Sequence, residues 1–333
     1  MPIKTYREAI NEALLQEMKK DENVVVIGED VAGGAGTNGE QDAWGGVLGV
    51  TKGLLKHFGR ERIIDTPITE TAIMGMASGA ALTGLRPVAE LMFVDFMGVC
   101  FDQILNQTAK FRYMFGGKAV TPLTIRTMYG GGLRAASQHS QCLYPMFTHV
   151  PGIKVVLPSN PYDAKGLLIQ SIRDNDPVIF MEHKNLYDTS GNVPDESYSI
   201  PFGEANFTRE GKDITFIAMG QTVDICNNVA DTLKKEGKTS TVLDLRTLSP
   251  LDEDSILEAA EETGKIVIVD ESYPRCNVAT DISALICQKS FNSLKAGIKM
   301  VTPPHTPVPF SPPLEDLYLP SEEKVLNVAK EIL

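Results

Sequence analysis

Residues 63–96 constrain the fold of this chain more than any other segment. An apolar run at each end flanks a turn at Pro67 and a stretch rich in alanine and glycine. Proline fixes its own φ and keeps the preceding residue out of the helical region, so the first run ends before it. Thr69 is a favourable N-cap, and Glu70 then lies in the first turn of a helix. The segment therefore predicts a strand, a tight elbow, a helix and a second strand.

The helix predicted after the elbow has an unusually thin side, formed by Ala72, Gly75, Ala77, Gly79, Ala80 and Gly84. A thin side lets another backbone or another subunit approach closely. Glu70 at the start of this helix has two interpretations. A first-turn carboxylate complements the helix dipole and need do nothing more. On an apolar elbow the same carboxylate is also placed to hydrogen-bond a nitrogen of a buried ligand, but local spacing alone favours the helix-dipole interpretation.

The alternation of strands and helices continues along the chain. Before residue 190 the sequence predicts helices at 5–20, 47–58, 99–114 and 162–174, with strands at 23–28, 121–127, 154–157 and 178–182. Beyond residue 203 it predicts strands at 214–218, 240–243, 266–269 and 298–301, with helices at 222–236, 252–262, 277–290 and 322–332. This alternation is typical of doubly wound, mostly parallel sheets. A polar stretch at 183–203 separates the two units, so we predict an α/β fold with two doubly wound domains, at 1–190 and 203–333.

Two irregular segments stand out. Gly34, Gly36 and Gly39, in the loop at 33–46, spell G-x-G-x-x-G directly after a strand. A dinucleotide fingerprint needs its third glycine inside a helix, and the residues after Gly39 have no helical apolar period. We therefore reject dinucleotide binding and predict a surface or active-site loop. The proline-dense segment 303–320 is predicted to stay extended, as a lid or docking strap.

The composition of the chain disfavours several classes of partner. Its 333 residues carry 31 basic and 43 acidic side chains, and the net charge of −12 disfavours nucleic acid and anionic membrane surfaces. The five cysteines are scattered without a C-x-x-C pair, as expected in a reducing compartment. No apolar stretch has the length of a membrane span, and the N-terminus matches neither a signal nor a transit peptide. We therefore expect a cytoplasmic protein.

His139 has the most informative context among the histidines. It lies in a polar segment just after glycines, at the expected carboxyl end of a strand, where ligands bind in open α/β sheets. A loop histidine that bonds only to the backbone fits the same context. Arg86, Glu90 and Arg112 are consistent both with a salt-bridge set and with substrate contacts.

Several longer motifs occur in one order along nearly the whole chain: DTPITE, GLRPVAELMFVDF, DQILNQTAKFRYMFGGK, RAASQHSQ, PSNPYDAKGLL and IRDNDPVIF. Together they resemble the β subunits of thiamin-diphosphate-dependent 2-oxo-acid dehydrogenase E1 components, which are transketolase-like. Within that family, DAWGGVLGVTKGL, ELMFVDF, FRYMFGGK and PPHTPVPFSP are most similar to β subunits that act on acetoin. The resemblance implies a pyrimidine-binding domain followed by a transketolase C-terminal domain.

The resemblance also implies roles for individual residues. Glu70 matches the glutamate that hydrogen-bonds N1′ of the thiamin aminopyrimidine, and Met92 and Phe96 match positions that pack against that ring. His139 matches a histidine near the reacting centre that assists acyl transfer to a lipoyl group. The positions of a monovalent-cation site, for K⁺ in relatives, match Leu123, Ser171, Ile172, Asp174 and Asp176. A helix C-terminus and turn would contain the same residues, so the cation site stays open.

A missing motif implies a partner chain. Complete thiamin-diphosphate enzymes carry G-D-G and an asparagine that hold Mg²⁺ and the diphosphate, whereas this chain has only Gly28-Glu29-Asp30. The resemblance therefore implies that an α subunit supplies Mg²⁺ and the rest of the thiamine diphosphate site, in an α₂β₂ heterotetramer. It also implies cleavage of acetoin to acetaldehyde, with acetyl transfer to a lipoyl-bearing E2. Two alternatives stay open: a pyruvate or branched-chain 2-oxo-acid dehydrogenase β subunit, and a non-catalytic subunit that docks E2.

Overall fold

The structure is a computed structural model that describes residues 1–33 and 45–333. Its helices are α1 (Tyr6–Lys20), α2 (Leu54–Phe58), α3 (Glu70–Leu82), α4 (Met97–Asp102), α5 (Phe111–Met114), α6 (Tyr144–Thr148), α7 (Pro161–Arg173), α8 (Thr222–Lys235), α9 (Glu253–Thr263), α10 (Val278–Lys289), α11 (Pro312–Tyr318) and α12 (Glu322–Lys330). Its strands are β1 (Ile3–Thr5), β2 (Val24–Gly28), β3 (Ile63–Asp65), β4 (Arg86–Phe93), β5 (Thr124–Tyr129), β6 (Lys154–Val156), β7 (Val178–His183), β8 (Ser190–Asn192), β9 (Asn206–Arg209), β10 (Ile214–Ala218), β11 (Ser240–Asp244), β12 (Thr247–Ser249), β13 (Ile266–Val269) and β14 (Lys299–Val301). Among these described helices, none has the length and apolar content that a bilayer span requires.

The larger sheet contains seven described strands in the order β12-β6-β7-β5-β4-β2-β3. Every neighbouring pair is parallel except β12 with β6. Strands such as β2 and β7 are buried along their whole length, because α1 and α7 cover one face of the sheet and α3 covers the other. All the parallel strands therefore end at one edge, where ligands bind in such sheets.

The smaller sheet contains five described strands in the order β14-β13-β10-β11-β9, parallel except for β9 at its edge. Helices α8 and α12 pack on one face of this sheet, and α9 and α10 pack on the other. The predicted α/β class, with two mostly parallel, doubly wound sheets, is confirmed. Strand β12 belongs by sequence to the second unit but forms the edge of the first sheet, beside β6.

Three predicted elements are wrong in extent. The helix predicted at 47–58 is confined to α2, because Gly49 and Gly53 have positive φ values of 74° and 86°. The helix predicted at 99–114 is divided between α4, a π-helical segment at Gln103–Thr108, and α5. The second strand predicted within residues 63–96, from the apolar run at 88–96, stops at Phe93, and the 3₁₀ turn Val94–Phe96 follows it.

The proline strap is not extended throughout. Pro312 and Pro313 begin α11, where the first helical positions lack a hydrogen-bond acceptor and proline loses nothing by lacking an N–H. The glycine-rich loop predicted at 33–46 falls almost entirely outside the described residues, as do Gly34, Gly36 and Gly39.

Candidate active site

The predicted elbow is present between β3 and α3. The carboxylate of Asp65 accepts a hydrogen bond from the Ala32 N–H at 2.6 Å, and the Thr66 N–H donates to the Gly28 carbonyl at 3.0 Å. Thr69 occupies the N-cap position, but its hydroxyl caps no N–H of the described helix. Glu70 is the first residue of α3 and is 8% exposed. The elbow therefore holds a buried carboxylate at the carboxyl edge of the sheet.

The negative charge of Glu70 acts on the neighbouring carboxyl group of Glu29. Glu29 directly follows β2, and Glu90 lies in β4. Burial raises the pKa of Glu29, and the negative charges of Glu70, Asp30 and Glu90 raise it further. Burial together with the charge of Glu70 raises the pKa of the Cys100 thiol to about 12. Glu29 therefore retains its proton to higher pH than an isolated carboxyl group does.

The end of β4 is irregular where it supplies Met92. The register of β4 against β5 shifts between Leu91 and Phe93, so Met92 is the extra residue of a β-bulge. Bulges change the direction of a side chain and are common next to active sites. The 3₁₀ turn that follows places Phe96 edge-on against the imidazole of His139, with 5.2 Å between ring centroids. Phe93 contacts the same imidazole with 4.8 Å between centroids.

The segment that carries His139 is held by buried polar groups. The ammonium of Lys184, which follows β7, donates a hydrogen bond to the carbonyl of His139. The Asp95 carboxylate accepts hydrogen bonds from the backbone and side-chain N–H groups of Gln141, at 3.2 and 2.9 Å. Tyr273, from the second unit, donates to the Gln141 side chain at 3.3 Å. Both units therefore contribute to the surroundings of His139.

A buried ion-pair network lies in the same sheet. Arg126 is 2% exposed and donates to Glu90 at 2.8 Å and to both oxygens of Glu182 at 2.6 and 2.8 Å. The Tyr187 hydroxyl donates to Glu182 at 2.6 Å. Of the two interpretations of Glu90, the structure thus shows a salt bridge. Arg112 pairs with Asp176 at the opposite edge of the sheet.

The second unit also contacts the glycines that follow β5. The Glu271 carboxylate accepts from the Gly131 N–H at 2.8 Å and pairs with the buried His183 ring at 2.9 Å. Burial alone would raise the pKa of Glu271, but His183 and the Gly131 N–H lower it below its ordinary value. Glu315 of α11 accepts from the Gly132 N–H at 2.7 Å. These contacts bind α11 to the loop that leads to His139.

The residues predicted to hold a monovalent cation lie away from this cluster, where β5 and β7 begin. Their oxygens are engaged by other groups. Arg86 donates to the carbonyls of Ile172 and Asp174 at 3.1 and 3.0 Å, and Lys154 donates to the Asp174 carboxylate at 2.8 Å. The remaining contacts are Arg112 with Asp176, Val178 N–H with the Leu123 carbonyl, and the Ser171 hydroxyl with the Leu167 carbonyl. The cation site stays a prediction, and no step of the proposed chemistry depends on it.

Glu70, Met92, Phe96 and His139 all lie on elements that meet the carboxyl edge of the larger sheet. Glu29, Lys184 and Gln141 were not singled out from the sequence, although Glu29 directly follows a buried strand and could have been found by that position. The pairing of Lys184 with His139 has no local signal, since 45 residues separate them. No group of three or more metal-ligating side chains occurs among residues 1–33 and 45–333.

Two family models match the chain in sequence order. Residues 4–189 match the transketolase pyrimidine-binding domain, and residues 203–325 match the transketolase C-terminal domain. Among solved structures, a chain described as a split-gene transketolase in an inactive β4 tetramer superposes with a TM-score of 0.78. The alignment covers 98% of this chain and 97% of that chain at 20% identity, a likeness that concerns the fold alone.

Several curated relatives are similar over nearly the full length. The β subunit of acetoin:2,6-dichlorophenolindophenol oxidoreductase from Cupriavidus necator is 63% identical, over 98% of this chain and 96% of the relative. The Bacillus subtilis protein of the same name is 58% identical over the same shares. The pyruvate dehydrogenase E1 β subunit of Bacillus subtilis is 43% identical, over 99% of this chain and 98% of the relative.

Proposed function

This chain belongs to the transketolase-type family of dehydrogenase E1 β subunits, and on that premise we propose that it supplies the pyrimidine half of a thiamine diphosphate site in an enzyme that cleaves acetoin. One observation carries the proposal: Glu70 is a buried carboxylate at a helix start, at the sheet edge that also presents Met92, Phe96 and His139. The higher identity to acetoin-specific than to pyruvate-specific relatives supports acetoin as the substrate.

The side chains fit the pyrimidine half of that cofactor. A carboxyl group exchanges hydrogen bonds with a ring nitrogen, and a thioether and an aromatic ring suit the faces of a flat heterocycle. When bound, the cofactor supplies a carbon nucleophile that cleaves the bond next to a carbonyl group. Glu70 would hold a proton at the pyrimidine N1′. His139 would donate or accept a proton during transfer of the acetyl group.

We also propose the partners and the division of the chain. Because this sequence has no G-D-G motif, a separate α subunit would hold Mg²⁺ and the diphosphate, in an α₂β₂ heterotetramer. The acetyl group would pass to lipoyl-E2. Domains at 1–190 and 203–333 agree with the limits of the two family models. The five cysteines are free thiols, which supports a reducing, cytoplasmic location.

Glu70→Gln in the reconstituted heterotetramer tests the central role. A general acid–base group contributes roughly 10²- to 10⁴-fold, so we expect a loss of kcat in that range with the assembly intact. Glu253→Gln is the matched control, because Glu253 is likewise the first residue of a helix, α9. Both variants remove a carboxylate from a helix start, and the exposed Glu253–Lys289 pair that is also lost contributes only about 0–1 kcal/mol. Activity of Glu70→Gln close to that of wild type would reject the catalytic role and favour a subunit that only docks E2.

The substrate is tested separately. The reconstituted enzyme is assayed with acetoin, pyruvate and branched-chain 2-oxo acids, with dichlorophenolindophenol as the electron acceptor. We expect the highest kcat/KM with acetoin. A preference for any 2-oxo acid would overturn the choice of substrate and would leave the role of Glu70 unaffected.

A further inference from the structure

We propose that Lys184 is a positioning residue that sets the orientation of His139, with Asp95 as its counterpart on the other side of that histidine. The inference rests on the proposed function, because it assumes that His139 acts on the reacting groups. It concerns a buried lysine that the reaction itself does not use.

The burial of the Lys184 ammonium group is unfavourable for the stability of the fold. It is 3% exposed, and among the residues that the structure describes no carboxylate forms an ion pair with its ammonium. Burial lowers the pKa of Lys184, and the charge of Asp95 only partly offsets this effect. An uncompensated buried cation destabilises a fold unless it makes strong hydrogen bonds. Lys184 donates its hydrogen bond to the carbonyl of His139. The interaction that offsets the burial of this cation therefore depends on the position of His139.

Lys184 also acts on His139 indirectly, through the ring of Phe93. Its ammonium lies 5.4 Å from the centroid of the Phe93 ring, and Phe93 packs edge-on against the His139 imidazole. A cation above an aromatic face is attracted to it. Lys184 therefore restrains both the backbone of His139 and one of the two rings that flank its imidazole.

Asp95 restrains the chain on the C-terminal side of His139. It lies between Phe93 and Phe96 in sequence, and its carboxylate accepts two hydrogen bonds from Gln141. The carbonyl of Gln141 in turn accepts from the Gly130 N–H at 3.2 Å. His139 and Gln141 are therefore attached to residues that directly follow or lie near the ends of β4, β5 and β7, the strands at the centre of the sheet.

The loop needs such anchors because its backbone is strained. Arg134 and Ala136 have positive φ values of 58° and 62°, a conformation that costs roughly 1–2 kcal/mol for each non-glycine residue. Without anchors the loop would relax toward other conformations and displace His139. A displacement of about 1 Å at a reacting group can cost roughly 100-fold in rate.

The test is a double-mutant cycle in the α₂β₂ heterotetramer, with acetoin and dichlorophenolindophenol as substrates. Lys184→Met removes the cation and keeps an unbranched apolar chain. We expect kcat to fall roughly 10- to 100-fold with little change in KM for acetoin. In a His139→Ala background the same substitution should change kcat by less than about twofold, because a residue that acts through His139 has nothing left to position.

Two further variants keep the test decisive. Lys295→Met controls for the loss of a lysine-to-carbonyl hydrogen bond, since the exposed Lys295 donates to the Thr263 carbonyl at 2.8 Å in the second unit; its kcat should match wild type. Lys184→Gln keeps a neutral donor and should lose less activity than Lys184→Met, and it takes the place of that variant in the cycle if Lys184→Met does not fold.

Equal losses from Lys184→Met in the two backgrounds would show a general structural role and overturn the proposal. Wild-type activity of Lys184→Met would overturn it as well. If His139→Ala itself keeps full activity, the proposed role of His139 fails and the positioning role fails with it. If His139→Ala is impaired and Lys184→Met is not, only the inference about Lys184 fails.

Discussion

Replacing Arg126 with methionine should destabilise the chain by about 3–5 kcal/mol, because it leaves buried carboxylates without their positively charged partner. The guanidinium donates three hydrogen bonds, two to Glu182 and one to Glu90, and all three residues are less than one-tenth exposed. Water cannot take the place of the lost donors at such a site. For a protein of this length the loss corresponds to a fall in Tm of roughly 5–15 °C.

The effect should also depend on pH. Burial raises the pKa of Glu90, while Arg126 opposes that shift. The stabilisation associated with a raised carboxyl pKa is complete below the ordinary value and is lost as pH rises through the raised value. Removal of Arg126 raises the pKa of Glu90 further, so the variant should lose less stability at about pH 5.5 than at about pH 8.

The assay is thermal and urea-induced unfolding of wild type and variant at both pH values. Arg112→Met is the matched control, because Arg112 pairs with Asp176 on the surface, where the two side chains are 41% and 35% exposed. Surface pairs contribute about 0–1 kcal/mol. A loss for Arg126→Met no larger than for Arg112→Met would refute the reasoning, as would a loss that grows when the pH falls.

Two further predictions concern backbone and titration. Gly130→Ala should lower the free energy of unfolding several-fold more than Gly59→Ala, as measured by urea unfolding. Both glycines have positive φ. An added Cβ would overlap the His183 ring at Gly130, whereas at Gly59 it would meet no atom within 4 Å. Similar losses in the two variants would contradict this. Burial and the charge of Asp163 raise the pKa of Asp244 to about 7. The wild-type protein should therefore lose stability as the pH rises through about 7. Asp244→Asn should show a flatter dependence of Tm on pH between about pH 5 and pH 8. An unchanged slope in Asp244→Asn would show that Asp244 is not responsible.

Regular elements were predictable where the local pattern was unambiguous. Helix α3 and strand β3 follow from Pro67 and the apolar runs around it, and strands β10 and β13 have the predicted bounds. Prediction failed where several conformations satisfy one apolar pattern. The segment 99–114 has a helical period, yet Cys100 departs from helical angles and a π-helical segment follows it.

The residues of the candidate site were likewise only partly predictable from local sequence. Glu70 could be located from its own neighbours, because a helix start after a buried strand is visible in a few residues. The charge of Glu29 near it could not, because β2 and β3, whose ends carry these two residues, are brought side by side only by the strand order of the sheet. Met92 was found by resemblance, but its place in a bulge depends on the register of β4 against β5.

Periodicity, proline turns and motifs act over short distances along the chain, and they were enough to predict the α/β class, most element positions, the family and the residue Glu70. Three other contacts became visible in the folded chain alone: the ion pairs of Arg126 with Glu90 and Glu182, the hydrogen bond from the Gly132 N–H to Glu315 of α11, and the hydrogen bond from Lys184 to the His139 carbonyl. The physical reason is that these contacts join residues far apart in the chain. Their geometry is set by strand order, by register and by the packing of the second unit against the first, which no local pattern encodes.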